Sequence, residues 1–171
     1  MRGRAVAVAM TALALAGCET TADPRYAMTV PLVGTAGQAL GTVSLWESPG
    51  GVGMRLAATG VAHGLHGVHV HAVGRCDGPT FETAGSHWNP ASRQHGLNNP
   101  AGPHAGDLPN VSVAANGVVN QSLVLSGASL AALADADGSA LVIHAASDDM
   151  VTDPSGNSGA RIACAVIAAP R

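Results

Sequence analysis

After its first two dozen residues the chain never holds an apolar run long enough for a full helix before a turn signal cuts it. The apolar runs fall at residues 27–33, 39–47, 52–59, 67–72, 110–114, 118–125, 140–145 and 161–167. Gly34, Ser48-Pro49-Gly50-Gly51, Asn116-Gly117 and Asp137-Gly138 separate neighbouring runs. Runs of this length bounded by Gly, Pro, Asn and Asp read as strands. An Asn-Gly step between two of them predicts a tight hairpin. Eight short strands with such punctuation imply an all-β antiparallel sandwich or barrel. The composition sets what fills it: 47% of residues are hydrophobic but only 2% aromatic, so the core must be aliphatic. A length of 171 residues favours one domain. A single helical turn is expected at 129–134.

Two stretches break the rhythm. Residues 73–108 are long and rich in Gly, Pro, Asn and His, and residues 146–159 are rich in Asp, Ser and Gly. Long loops inside a compact domain are usually functional. Asp135-Ala136-Asp137-Gly138 begins like a calcium loop, but Ala146 stands where the required glutamate would be, so it reads as a polar turn.

The N-terminus reads as a targeting segment. Arg2 and Arg4 precede an apolar run over residues 5–16, which suits a signal-peptide core and is too short to span a bilayer. Leu15-Ala16-Gly17-Cys18 resembles a lipobox. Residues 1–17 are therefore expected to be a signal peptide, 18–25 a tether lipidated on Cys18, and 26–171 the folded domain. An ordinary signal peptide cut nearby would leave Cys18 as a stray thiol, a liability in an oxidising compartment. With Cys18 lipidated, Cys76 and Cys164 remain, either bonded or as two buried thiols, and export favours the bond. The expected location is the periplasm, anchored to the outer membrane, with Glu19 after the cysteine favouring that membrane.

All eight basic residues are Arg; without Arg2 and Arg4, six face eleven Asp plus Glu, a net charge of −5. No basic cluster appears, which argues against a nucleic-acid partner.

The eight histidines carry the chemistry. His69 and His71 are two apart in a strand and share one face, with Val68 and Val70 on the other. His144 follows Leu141-Val142-Ile143 and is expected on the outer face of a sheet whose inner face is apolar. The long loop adds His87, His95 and His104, with Asp107 three residues on. Imidazoles with one carboxylate suit zinc. Singly, an H-x-H pair or a strand histidine is weak support for a metal, and Arg161 alone reads as a salt bridge at a strand end.

Together these residues resemble the copper,zinc superoxide dismutase family from about residue 26 to 168. The matching pieces are 64–71 (G-L-H-G-V-H-V-H), 74–76 (G-R-C), 84–90 (A-G-S-H-W-N-P), 104–110 (H-A-G-D-L-P-N) and 156–164 (G-N-S-G-A-R-I-A-C). The resemblance implies an eight-stranded Greek-key sandwich or barrel with a long metal-binding loop. It implies copper on His69, His71, His87 and His144, and zinc on His87, His95, His104 and Asp107, with His87 shared. It implies that Asp148 links a copper histidine to a zinc histidine and that Cys76 and Cys164 form a disulfide. Arg161 would sit beside the copper, and His66 would be structural. His63 matches no family role and is expected to be exposed. The implied activity is dismutation of superoxide, with Arg161 and His87 as catalytic residues. The alternative is a periplasmic copper- or zinc-binding lipoprotein without turnover, which would need the ligands but not Arg161 or a bridging His87. The segment between His144 and Arg161 is short and holds no Lys or Glu, which argues against long-range steering of the substrate. Monomer and homodimer both stay open.

Overall fold

The structure, a computed structural model, describes residues 27–171. The expected signal peptide, tether and Cys18 lie outside the described residues. Nine strands form: β1 (Met28–Gly34), β2 (Ala39–Ser48), β3 (Gly51–Ala58), β4 (Gly64–His66), β5 (Val68–His71), β6 (Val111–Val113), β7 (Val119–Ser126), β8 (Ser139–His144) and β9 (Arg161–Ala168). One helical turn, α1 (Leu130–Leu133), lies where expected; Ser129 caps it by accepting from Ala132 N–H.

Seven strands make one antiparallel sheet, ordered β5-β8-β9-β1-β2-β3-β7 and curled into a half-barrel. Hairpins join β1, β2 and β3, while the last strand returns to lie beside the first. That order, β9-β1-β2-β3, is the Greek-key arrangement. The inner faces bury Leu32, Val43, Leu45, Leu56, Val68 and Ile143, all fully enclosed. On the outer face of the β2–β3 hairpin, Gly53 lies opposite Trp46 in register, and a Cβ there would strike the indole at 2.3 Å. The glycine is the seat for the ring.

The ninth strand is a departure from the sequence reading. Residues 64–66 are too short to show alternation, yet they pair with β6 as a separate two-stranded sheet. Gly67 divides this piece from β5: its N–H donates to Ala146 O (2.9 Å), and its carbonyl accepts from His144 N–H (2.9 Å). A Cβ at Gly67 would come within 2.9 Å of Ser158 Cβ. Asn116-Gly117 does form a tight turn, with Gly117 at φ 77° and its N–H donating to Ala114 O. The strands beyond it part, however, because β6 pairs with β4 and β7 with β3. The Gln121 side chain spans the gap, accepting from Ser112 N–H and donating to Asn110 O.

The expectation for β8 also needs refinement. Both of its faces are buried. Leu141 and Ile143 enter the main core. Ala140 and Val142 pack outward against Phe81, Ala84 and Cys164 under the long loop. The loop turns back along edge strand β5 as well: Val70 N–H donates to Gly106 O, and Trp88 N–H to Val70 O, both at 2.8 Å. The would-be free edge is thereby covered, and the outward histidines of β5 and β8 become buried.

Candidate metal centre

Strand register places the first group of rings. In the β5–β8 ladder Val68 faces Ile143 and His71 faces Ala140, so His69, His71 and His144 emerge on the loop side. His87 reaches them from the loop through a bridge between His71 and His87. All four are buried, and one ligand atom from each lies within 4.8 Å of the others. His69 Nδ1, His71 Nε2, His87 Nε2 and His144 Nε2 have no hydrogen-bond partner; they are four of the five such buried side-chain atoms among the described residues, Ser158 Oγ being the fifth. Leaving a buried polar group unmatched costs roughly 1–3 kcal/mol. Four such atoms converging from two strands and a loop fit a cation's donor set.

The opposite ring nitrogens are held. His69 Nε2 lies 2.7 Å from Asp148 Oδ2. His71 Nδ1 lies 2.9 Å from Gly85 O, and His144 Nδ1 lies 2.9 Å from Gly159 O. These partners fix ring orientation and tautomer, leaving the free nitrogens as lone-pair donors.

The second group gathers on the other edge of the His87 ring. His87 Nδ1, His95 Nδ1 and His104 Nδ1 stand 3.0, 3.1 and 3.4 Å from Asp107 Oδ1. His104 Nδ1 is 3.3 Å from His87 Nδ1. Tetrahedral ligands about 2.0 Å from a zinc ion sit about 3.3 Å apart, so this set fits zinc. Asp107 Oδ2 is occupied by the N–H groups of Gly96 (2.9 Å) and His104 (3.0 Å), which aims Oδ1 at the rings. The four residues whose ligand atoms all lie within 4.8 Å of one another here are His69, His87, His95 and Asp107, but His69 Nε2 is engaged by Asp148 and its Nδ1 belongs to the first set, whereas His104 Nδ1 approaches both His87 and Asp107. Asp148 spans both groups, with Oδ1 3.0 Å from His95 Nε2.

The electrostatics follow from burial. Burial lowers the pKa of His71 to about 2, aided by the neighbouring His87 and Arg161. It lowers His144 to about 3 and His87 to about 4, with Asp107 partly opposing at His87. These rings are neutral, the state a metal requires. For His95 burial acts the same way, but the carboxylates of Asp107 and Asp148 outweigh it and raise the pKa to about 9. Burial would raise both aspartates; hydrogen bonds from the histidines outweigh it and hold them well below the usual carboxylate range.

Arg161 opens β9 opposite His144. It donates to Phe81 O and Gly85 O, both at 2.7 Å. Two of its five N–H donors are thus used and the others remain for an anion. It lines an open cleft of about 550 Å³ with Thr35, Pro79, Thr80, Glu82 and Gly159. Cys76 and Cys164 are joined by a disulfide, with Cα atoms 5.7 Å apart. His66 is buried, its ring nitrogens 2.7 Å from His144 O and 2.8 Å from Ala62 O; His63 is exposed. Sequence reading did not foresee the carbonyls of Phe81, Gly85 and Gly159, because a backbone acceptor has no residue signature. Nor did it assign a role to Asp153, although that carboxylate lies against two residues of the second group.

The Greek-key half-barrel and its two donor sets sharing one imidazole define a binuclear metalloprotein, with Arg161 in register opposite His144 of one set. The sequence matches the copper/zinc superoxide dismutase (SODC) family over residues 39–167. The chain belongs to this family, whose members bind copper and zinc. It is 38% identical to the superoxide dismutase-like protein YojM of Bacillus subtilis, covering 92% of each chain. It is 42% identical to superoxide dismutase [Cu-Zn] 2 of Aquifex aeolicus over 80% of this chain and 83% of that one. Among solved structures, it resembles a double mutant of a SOD-like protein from Bacillus subtilis in which a tyrosine and a proline are each replaced by histidine. The TM-score is 0.82 at 42% identity, covering 84% of this chain and 99% of that chain.

Proposed function

We propose that this protein is a superoxide dismutase that converts two superoxide anions and two protons to dioxygen and hydrogen peroxide. The observation that carries the reading is His87: one buried ring offers Nε2 to three unpaired histidine nitrogens and Nδ1 to two histidines and an aspartate. Under this reading His69 Nδ1, His71 Nε2, His87 Nε2 and His144 Nε2 hold copper, and His87 Nδ1, His95 Nδ1, His104 Nδ1 and Asp107 Oδ1 hold zinc. Copper supplies one-electron redox chemistry and zinc a fixed charge without redox change.

The chain's own residues do the rest. Arg161 draws the anion into the cleft and orients it with its free donors. Its anchors on Phe81 O and Gly85 O hold the guanidinium against the loop. His87 Nε2 takes up and returns a proton, while Asp107 and His104 hold the ring from the Nδ1 side. Asp148, bonded to His69 and His95, keeps both sets in register. The non-turnover alternative gives no role to Arg161's free donors. The protein's proposed setting is the periplasm, anchored to the outer membrane by a lipid on Cys18.

The test is a superoxide assay on copper- and zinc-loaded protein, with demetallated protein and Arg161→Ala as controls. Full metal occupancy without turnover would leave the metal-buffer alternative standing. Labelling with a radioactive fatty acid, lost in Cys18→Ser, tests the anchor.

A further inference from the structure

Every ring of the two donor sets has its outward nitrogen accounted for, save one. Asp148 holds His69 and His95, Gly85 O holds His71, and Gly159 O holds His144; His87 uses both nitrogens within the centre. His104 remains, with Nδ1 turned toward Asp107 and Nε2 toward Asp153 Oδ1 at 3.6 Å. The same oxygen accepts from His95 N–H at 2.6 Å.

Asp153 is held where it can act. It belongs to the β8–β9 loop, which is tied to the residues after His95. Asn98 N–H donates to Met150 O (3.0 Å), and Asn99 Nδ2 donates to Val151 O (3.2 Å). Gly96 permits this approach: it sits at φ +111°, and a Cβ there would lie 2.2 Å from Met150 O. On the other side of the turn, Asp149 Oδ1 accepts from Val151 N–H (3.0 Å) and Thr152 N–H (2.8 Å), and Oδ2 accepts from Asn157 Nδ2 (2.9 Å).

We propose that Asp153 is a positioning residue for the zinc-side donor set, holding the His95 backbone through its N–H and facing the His104 ring at Nε2 with the same carboxylate oxygen. A metal on Nδ1 makes an imidazole a stronger Nε2–H donor, and a carboxylate facing that hydrogen fixes the tautomer and strengthens the ligand. The inference rests on the zinc assignment above. Unlike Asp148, which is enclosed, the Asp153 side chain is 53% exposed, so it guards the solvent side of the site.

The experiment measures zinc affinity by chelator competition in the copper-loaded protein for wild type, Asp153→Asn, Asp153→Ala and the control Asp107→Ala. Asn keeps an acceptor for His95 N–H and removes only the charge. Outer partners of metal-bound histidines are worth about 10–100-fold in affinity. Asp153→Asn is expected near the lower end and Asp153→Ala near the upper, with copper content unchanged. With cobalt(II) in the zinc set, the visible absorption band should shift in both variants, which a merely structural loss in the loop would not produce in Asn. Wild-type affinity in both variants, an unshifted cobalt band, or parallel loss of copper would overturn the proposal. Failure of the wild type to take up zinc, with no difference from Asp107→Ala, would instead overturn the zinc assignment itself.

Discussion

Removing the disulfide by Cys76→Ala and Cys164→Ala together should weaken the fold and, separately, the anion site. The bond closes a stretch of 88 residues. Loop-closure entropy for that length gives about 4.6 kcal/mol at 25 °C in the chain-entropy model. For a domain of this size the melting temperature should fall by about 10–20 °C. The second effect is local. Cys164 is fully buried in the small cluster with Phe81 and Ala84, and Phe81 O and Gly85 O are the two acceptors of Arg161. Freed of the bond, the segment carrying those carbonyls loses its tie to β9, and the guanidinium loses its fixed direction. Gly85 O also holds His71 Nδ1, so one loosened carbonyl touches a metal ligand and the arginine at once. The assay is guanidinium unfolding of metal-free protein, which removes the contribution of bound ions, followed by superoxide turnover of the metal-loaded variant well below its midpoint. Stability within about 1 kcal/mol of wild type would refute the closure argument. Turnover unchanged at full metal occupancy would refute the link between the bond and Arg161.

The donor sets should be separable: His144→Ala should lose copper and activity while keeping zinc, and Asp107→Ala should lose zinc first; metal analysis decides, and equal loss of both ions from His144→Ala counts against the assignment. Arg161→Ala should lower turnover with both metals bound, and wild-type turnover should fall only weakly with salt, since the chain carries a net charge of −3 and has little long-range attraction to screen; a steep fall in stopped-flow rates would reveal a positive patch formed by the fold. The metal-free protein should lose stability as pH falls below 6.5, because unfolded histidines take up protons there while His87, His144 and His71 resist until about 4, 3 and 2. His95 acts in the opposite direction, its contribution being complete below 6.5 and lost as pH rises through about 9. Urea titrations across that range test both limbs, and a flat profile between pH 7 and pH 4 would show the rings protonated in the fold.

The strands were legible because each run alternates or ends in a turn residue, and the histidine spacing in β5 fixed a shared face before any contact was seen. What stayed hidden depends on tertiary closure. Residues 64–66 carry too few side chains for a period, and only the cross-pairing with β6 reveals a strand. Asn116-Gly117 predicted its turn but not the parting of the strands, because the partner choice is made by β3 and β4. His144 reads as a surface histidine in isolation; its burial comes with contacts far along the chain, from the rings of His71 and His87 and from the carbonyl of Gly159. The ligand residue types were legible, whereas the atoms were not. Nδ1 on His69 and Nε2 on His71 follow from which neighbour, Asp148 or Gly85 O, takes the other nitrogen.

The two donor sets differ in what places them, and that difference bears on how the protein matures. His69, His71 and His144 stand on a paired strand ladder whose inward residues are core, so folding of the sheet sets the backbone positions of three of the four rings of the first group, and the loops then orient them through Asp148, Gly85 O and Gly159 O. His95 and His104 stand on a loop stretch without regular structure and Asp107 where that loop bridges to His69 of β5, held further by Asp148, Asp153 and the contacts of residues 96–99 with 150–153. Closing that loop gathers three rings around Asp107 Oδ1, and a cation bound there would hold them together. Under the proposed assignment zinc would therefore couple to loop closure, while copper would couple mainly to strand positions already built. Because His87 leaves the loop and ends among the strand rings, loop closure also delivers the fourth copper-side nitrogen. Zinc uptake should thus precede and sharpen copper uptake: copper added to zinc-loaded protein should bind more tightly than copper added to metal-free protein. By linkage, copper should tighten zinc by the same factor. Equal copper affinities in the two preparations, measured by competition, would mean that His87 is in place without the loop's closure and that the sets are independent.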